Sequence, residues 1–113
     1  MSRARAAQRK PADAAPLFAA LGDATRLRLL KRLCADGPGS IAQLSTHARV
    51  SRQAITKHLE VLDAAGLVRS HREGRERIWR LCPDRLDDAH AFLDRISTEW
   101  DEALERLRAL VER

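Results

Sequence analysis

Two cysteines, Cys34 and Cys82, are too few for a disulfide framework, and such usage points to a cytosolic chain. No apolar run approaches the roughly 18 residues of a bilayer span, so no membrane partner is expected. The opening MSRARAAQRKPADAAP lacks the apolar core of a secretory signal. It reads as a disordered basic tail over residues 1–11 rather than as a transit peptide. Internal repeats are absent, as are a Gly-rich phosphate loop, an HExxH and a GxSxG. The histidines, His47, His58, His71 and His90, fall on different expected elements. An enzyme is therefore not supported, and no catalytic residue, cofactor or metal is expected.

What is there is a globular balance: 44% hydrophobic and 33% charged residues over 113 positions, enough for one domain or one subunit of an oligomer. The net charge of +5 is unevenly spread. Residues 1–80 carry 16 Lys and Arg against 7 Asp and Glu, whereas residues 81–113 carry 5 Arg against 9 acids. A cationic body with an acidic last third suits a polyanionic partner, although ordinary solvated charge would also produce it.

Breaker residues divide the body into short helices. Pro16 suits the first turn of a helix running to Leu21, and Gly22 closes it. Asp23 suits the N-cap of ATRLRLLKRLCA. Its inner stripe is expected to be Leu27, Leu30, Leu33 and Cys34, with Arg28, Lys31 and Arg32 outside. Asp36-Gly37-Pro38-Gly39 breaks the chain. Ser40 then caps IAQLSTHA, with Ile41, Leu44 and Ala48 inward. After Arg49-Val50, Ser51 caps an amphipathic helix through Ala65, whose apolar face is Ala54, Ile55, Leu59, Leu62 and Ala65. Gly66 suits its left-handed C′ position.

Two helices joined by a turn of about three residues have the helix-turn-helix outline, whose second helix enters the major groove by its N-terminal end. Val50 is expected to wedge between them. Gln53, Thr56, Lys57 and Glu60 share a polar face of the second helix. Any two short amphipathic helices of a bundle share this outline, so the next segment matters. LVRSHREGRERIWRL reads as two strands around Glu73-Gly74. With that turn, Arg72 faces Arg75, Ser70 faces Arg77 and Val68 faces Trp79. The base is apolar through Val68, Trp79 and Leu81, and the tip is basic through Arg72, Arg75 and Arg77. Like charges opposed across a hairpin destabilise it, so such a tip suits an external anion such as phosphate. An edge hairpin that uses Arg for solubility is the competing explanation.

The last segment carries heptads. Leu86, Leu93, Trp100 and Leu107 recur every seven residues, with Ala89, Ile96, Ala103 and Leu110 three residues after each. Such a helix is longer than a small domain needs, and its outer part is expected to pack on a second copy.

LGDATRLRLLKRL, SRQAITKHLEVLDAAGLVRSHREGRERIWRL and the long terminal helix resemble the ArsR-type family of bacterial winged-helix repressors. The resemblance covers roughly residues 16–100. It implies a homodimer joined through the first and last helices, double-stranded operator DNA as partner, and repression as the usual action. Carried over, it places Ser51, Arg52, Gln53, Thr56 and Lys57 at the groove and Arg72, Arg75 and Arg77 near the DNA backbone. His58, in the family's KHL triplet, either touches phosphate or orients the helix.

Many family members sense metals through a cysteine pair on the helix before the reading helix. IAQLSTHA has no cysteine, so that site is rejected. Others use the last helix, beginning Asp-x-His. Asp88 and His90 match that start, but Leu104 occupies the place of a fourth ligand, and His90 reads as a partly buried non-ligand at the edge of the seam. Cys34, expected as a small buried hydrophobe, and Cys82 are the only residues for thiol sensing.

The expected fold is mostly α with a β-hairpin wing: a winged helix-turn-helix over residues 12–82 and a dimerisation helix over 83–113. Leu86, Leu93, Ile96, Trp100 and Leu107 form the expected dimer seam. The expected function is a sequence-specific DNA-binding transcriptional regulator, a homodimeric repressor on a near-palindromic operator, with any small-molecule inducer unspecified. A protein-interaction module that no longer binds DNA is the alternative from another class, but it has no use for the Arg tip or the polar helix face.

Overall fold

The computed structural model describes residues 11–112, with side chains from Ala14 onward. The basic tail expected over 1–11 lies outside them except for Pro11, which begins the first helix. In chain order the elements are α1 (Pro11–Leu21), α2 (Ala24–Asp36), β1 (Gly39–Ser40), α3 (Ile41–Leu44), α4 (Arg52–Ala64), β2 (Val68–Glu73), β3 (Glu76–Leu81) and α5 (Pro83–Val111). Helices and wing together make the expected winged helix-turn-helix.

Helix α1 starts a turn before Pro16, which lies inside it. The extra turn carries Ala14 inward to continue the buried stripe of Leu17 and Ala20. Asp23 caps α2 by accepting from the backbone N–H of Thr25 at 2.8 Å and of Arg26 at 3.1 Å. The buried stripe of α2 is Leu29, Leu30 and Leu33, not the stripe expected through Leu27 and Cys34. Leu27 is 50% exposed and Cys34 is exposed. Arg26 explains the rotation. It shares the inner face at helical spacing and donates from Nε to the Ala20 carbonyl at 2.6 Å, which pins that face against α1.

Helix α3 is four residues long, half the expected length. Its capping box is complete: Gln43 N–H donates to Ser40 Oγ at 3.2 Å, and Ser40 N–H donates to Gln43 Oε1 at 2.9 Å. The hydroxyls of Ser45 and Thr46 then bond back to the Ile41 and Ala42 carbonyls, and His47 turns left-handed at φ 63°. Ala48 and Val50, expected inward, are consequently exposed.

The wing is part of a three-stranded antiparallel sheet in the order β1-β3-β2. Gly39 pairs with Trp79 and Ser40 with Ile78, a strand the sequence reading did not anticipate. The hairpin register also differs from expectation. Glu73 pairs with Glu76, Arg72 with Arg77, Ser70 with Trp79 and Val68 with Leu81, so Gly74 and Arg75 form the turn. Gly74 has φ 63° while Arg75 has no positive φ, the pattern of a turn with glycine at its first central position. A turn at Glu73-Gly74 would put a glutamate there instead. The shift moves each pairing by two positions, so the strand side chains keep their expected faces, whereas Arg75, expected on a strand opposite Arg72, lies in the turn.

The core gathers Leu17, Leu30, Leu33, Leu59, Leu62 and Trp79 with their neighbours. Burying each of these large side chains stabilises the fold by roughly 1.5–3 kcal/mol. Trp79 is fully covered, and its Nε1 has no hydrogen-bond partner among the described residues.

Helix α5 has 29 residues and is about 43 Å long at the usual rise. Only its start is covered. Leu86 packs on the core, Ala89 and Ala91 are buried, and Phe92 meets Phe18 of α1 with ring centroids 5.5 Å apart. From Leu93 onward every described side chain is exposed, Trp100 at 65%. The projection gives the molecule a long axis of 68 Å against 31 and 24 Å. No helix among the described residues is long and apolar enough to cross a membrane.

Candidate nucleic-acid interface

Helix α4 is held at both ends and along its inner face, which leaves its outer face free. Ser51 Oγ accepts from the Ala54 N–H at 3.1 Å at the N-terminus. At the other end the Gly66 N–H reaches the Asp63 carbonyl and the Leu67 N–H reaches the Leu62 carbonyl, both at 2.9 Å. Gly66, at φ 81°, makes this C-terminal turn possible. Ile55, Leu59 and Leu62 fill the core.

The outer face carries Arg52, Gln53 and Lys57, all exposed, with Thr56 half-buried beside them. Thr56 Oγ1 donates to the Arg52 carbonyl at 2.9 Å, which fixes its rotamer and leaves its lone pairs outward. The side chains of Arg52, Gln53 and Lys57 have no hydrogen-bond or ion-pair partner among the described residues.

His58 points elsewhere. Its Nδ1 lies 3.2 Å from Arg26 Nη1 and 3.8 Å from Asp23 Oδ1. Arg26 in turn donates to the Ala20 and Ala19 carbonyls at the end of α1. The histidine therefore ties α4 to the α1–α2 corner. The Asp23 carboxyl is held below its ordinary value, chiefly by the hydrogen bond from the Arg26 N–H.

On the wing, Arg72 and Arg77 face one another across the ladder and Arg75 sits in the turn. Arg72 and Arg75 have no side-chain partner among the described residues. The Arg77 guanidinium lies over the Trp79 ring at 6.0 Å, at the outer limit of a cation–π contact. Glu73 pairs with Glu76 beneath the turn, and Glu73 also lies 3.6 Å from His71.

Four bracing arginines escaped the sequence reading, Arg26 and three more. Arg32 donates to the Leu44 and Thr46 carbonyls at 3.4 and 3.1 Å and holds the turn of the helix-turn-helix. Arg69 reaches the Asp63 carbonyl at 2.8 Å and its carboxylate at 2.7 Å, tying wing to α4. Arg85 of α5 donates to the Ala65 carbonyl and to Asp88 Oδ2, each at 3.0 Å. Only Arg26 left a signal, since it falls on the helical stripe of Leu29, Leu30 and Leu33.

The sensing positions are otherwise engaged. Asp88 is 6% exposed and faces Arg85, whereas His90 is exposed, not partly buried as expected, and pairs with Asp94 at 3.2 Å. Among the described residues no group of three or more His, Cys, Asp or Glu is placed to hold a metal ion. Cys34 and Cys82 are both free thiols.

Comparison with known proteins agrees with this geometry. A helix-turn-helix domain family model matches residues 21–71. The chain is 37% identical over 93 residues to the HTH-type transcriptional regulator Rv2034 of Mycobacterium tuberculosis, covering 82% of this chain and 83% of that one. Among solved structures it is similar to an ArsR-like transcriptional regulator from Rhodococcus sp. RHA1, with 41% identity, a TM-score of 0.75, and coverage of 88% and 92%. It is also similar to a homodimeric winged helix-turn-helix DNA-binding domain from Mycobacterium bovis, with 26% identity, a TM-score of 0.61 and 83% of each chain covered. On this fold, this helical face and these similarities, the chain belongs to the ArsR family of winged helix-turn-helix proteins, DNA-binding regulators of transcription.

Proposed function

We propose that the protein acts as a cytoplasmic homodimeric repressor on a near-palindromic operator. Two copies join through α1 and the exposed seam of α5, and present their α4 helices about 34 Å apart, one turn of duplex. Residues 12–82 read DNA and residues 83–113 dimerise. Gln53 and Thr56 face base edges, with Arg52 and Lys57 beside them. Arg72, Arg75 and Arg77 reach the backbone, while Ser51 and His58 hold the reading helix in place. Occupancy of the operator is sufficient for repression.

The observation that carries this reading is the set of cationic side chains, Arg52, Lys57, Arg72 and Arg75, that have no partner among the described residues. Four such groups on a reading helix and its adjoining wing suit a polyanion of regular pitch.

Fluorescence anisotropy with the DNA upstream of the protein's own gene tests the reading. Lys57→Gln and Arg75→Gln are expected to weaken binding on every sequence and to reduce the salt slope by about one counterion each. Gln53→Ala is expected to change which sequence is preferred, by about 1–3 kcal/mol at the contacted base pair. A protein that ignores every duplex at about 0.1 M salt is instead the protein-interaction module.

A further inference from the structure

Between α2 and the turn leading into α4 lies a groove of about 570 Å³. Leu29, Leu44 and Ile55 form its floor and Val50 one apolar wall, while Thr25, Thr46 and His47 add polar lining. Its rim carries Arg28, Arg32 and Arg49, and no carboxylate lines it. A mixed lining, apolar on the floor and cationic at the rim, suits a small ligand with an apolar body and a negative group.

The chain does not fill this space itself. Val50, expected as the wedge between two helices, is 37% exposed. Arg49 has no side-chain partner among the described residues. Arg28 reaches only Thr25 Oγ1, at 3.3 Å. Arg32 spends one nitrogen on the Leu44 and Thr46 carbonyls and faces Asp36 at 3.6 Å with another. Guanidinium forks beside an apolar wall match a carboxylate that carries a hydrocarbon body.

We propose that this groove binds a small organic monoanion, an alkyl or aryl carboxylate, and that its occupancy weakens operator binding. The groove is continuous with the start of the reading helix. Arg49 and Val50 immediately precede the Ser51 cap, and Ile55 lies one turn further on. A carboxylate held there puts negative charge beside the end of α4 that meets phosphate. Two anions on one cationic surface repel, so each lowers the affinity for the other. Arg32 adds a mechanical link, because the nitrogen that holds the turn belongs to a rim residue. The regulatory half rests on the operator reading above, and the binding half stands without it.

The test titrates the full chain, free of DNA, with octanoate and follows backbone amide shifts by NMR. Octanol supplies the same chain without charge, and acetate the charge without the chain. Saturable shifts confined to residues 25–32 and 44–55 are expected. Octanoate is expected to bind at least about 10-fold more tightly than either comparator, since charge-assisted hydrogen bonds and the apolar chain each contribute a factor of that order. Arg49→Gln and Val50→Asn, both at exposed positions, are expected to weaken it at least about 5-fold. No saturable shift, shifts on the exposed part of α5 instead, equal affinity for octanol, or indifference to both variants each overturn the site. Anisotropy with operator DNA decides the coupling: octanoate is expected to weaken DNA binding several-fold at low salt, and less at high salt. Unchanged operator affinity with the groove occupied overturns the coupling alone. Failure to bind any duplex overturns the operator reading and leaves the titration to decide the site.

Discussion

The Nε of Arg85 donates to the backbone carbonyl of Ala65 across 3.0 Å, so a side chain of the last helix caps the end of the reading helix. The same guanidinium faces buried Asp88 at 3.0 Å. Carbonyls at a helix C-terminus lack partners within the helix and carry partial negative charge, which a guanidinium satisfies well. The orientation of α5 is thereby linked to that of α4.

Arg85→Met removes the cap and the cation beside Asp88. It is expected to destabilise the fold by about 2 kcal/mol in urea unfolding at fixed protein concentration. Arg85→Lys is expected to recover only part of this, because an ammonium lacks the fork that serves both acceptors. Unchanged stability in Arg85→Met would remove this link from the account.

His47 adopts φ 63° with no glycine's freedom to do so. A left-handed backbone costs an L-residue about 1 kcal/mol, less for histidine than for branched residues. His47→Gly is expected to raise stability by at most about 0.5 kcal/mol, the relief of strain being largely offset by the greater entropy of an unfolded glycine. Urea midpoints compared at constant slope check it, and a lower midpoint would mean that the imidazole makes a compensating contact.

Asp23 gives the fold an acid-sensitive corner. The Arg26 N–H lowers its carboxyl most; partial desolvation opposes this, and the His58 charge, the Thr25 N–H and the Arg26 charge add to the lowering. A folded value below the ordinary 3.8 means that the native state holds fewer protons than the unfolded chain in that range. The contribution to stability is therefore complete above the ordinary value and is lost as pH falls through the folded one. Asp23→Asn retains a capping oxygen but not the charge, so its stability should vary less than wild type between about pH 5 and pH 2. Equal slopes in acid unfolding curves would contradict this.

Trp100 stands 65% exposed on a helix face shared with Leu93, Ile96 and Leu107. An apolar stripe this long in water favours a second copy. Trp100→Asp is expected to raise the dimer dissociation constant about 100-fold or more, as a large aromatic anchor replaced by a charge does. Sedimentation equilibrium measures it, and a variant as dimeric as wild type would move the interface away from this seam.

The reading helix was legible residue by residue, because its determinants are local. Ser51 caps its start, Ile55, Leu59 and Leu62 set its buried face, and Gly66 permits its end. The exposed seam of α5 was legible for the same reason, since a heptad repeat needs no knowledge of what it packs against. The inner face of α2 was not. Leu27, Leu29, Leu30 and Leu33 offer two overlapping stripes, and only the Arg26 bond to the α1 carbonyl decides between them. The wing turn misled by one residue, because Glu-Gly and Gly-Arg both place glycine at a turn. The β1 pairing with β3 joins residues some forty positions apart and leaves no trace in a two-residue strand.

The sequence alone thus determined the order of the helices and the two wing strands, the outward-facing residues of α4 and the apolar stripe of α5, since helix periodicity and capping act within a few residues. Tertiary structure alone decided which arginines brace the fold and which stay free for a partner. Arg26, Arg32, Arg69 and Arg85 turn to carbonyls and carboxylates brought to them by other segments, while Arg52, Arg72 and Arg75 meet none among the described residues. A guanidinium on a long, flexible stem bonds to whatever acceptor folding places within its reach, and its position in the chain does not say which.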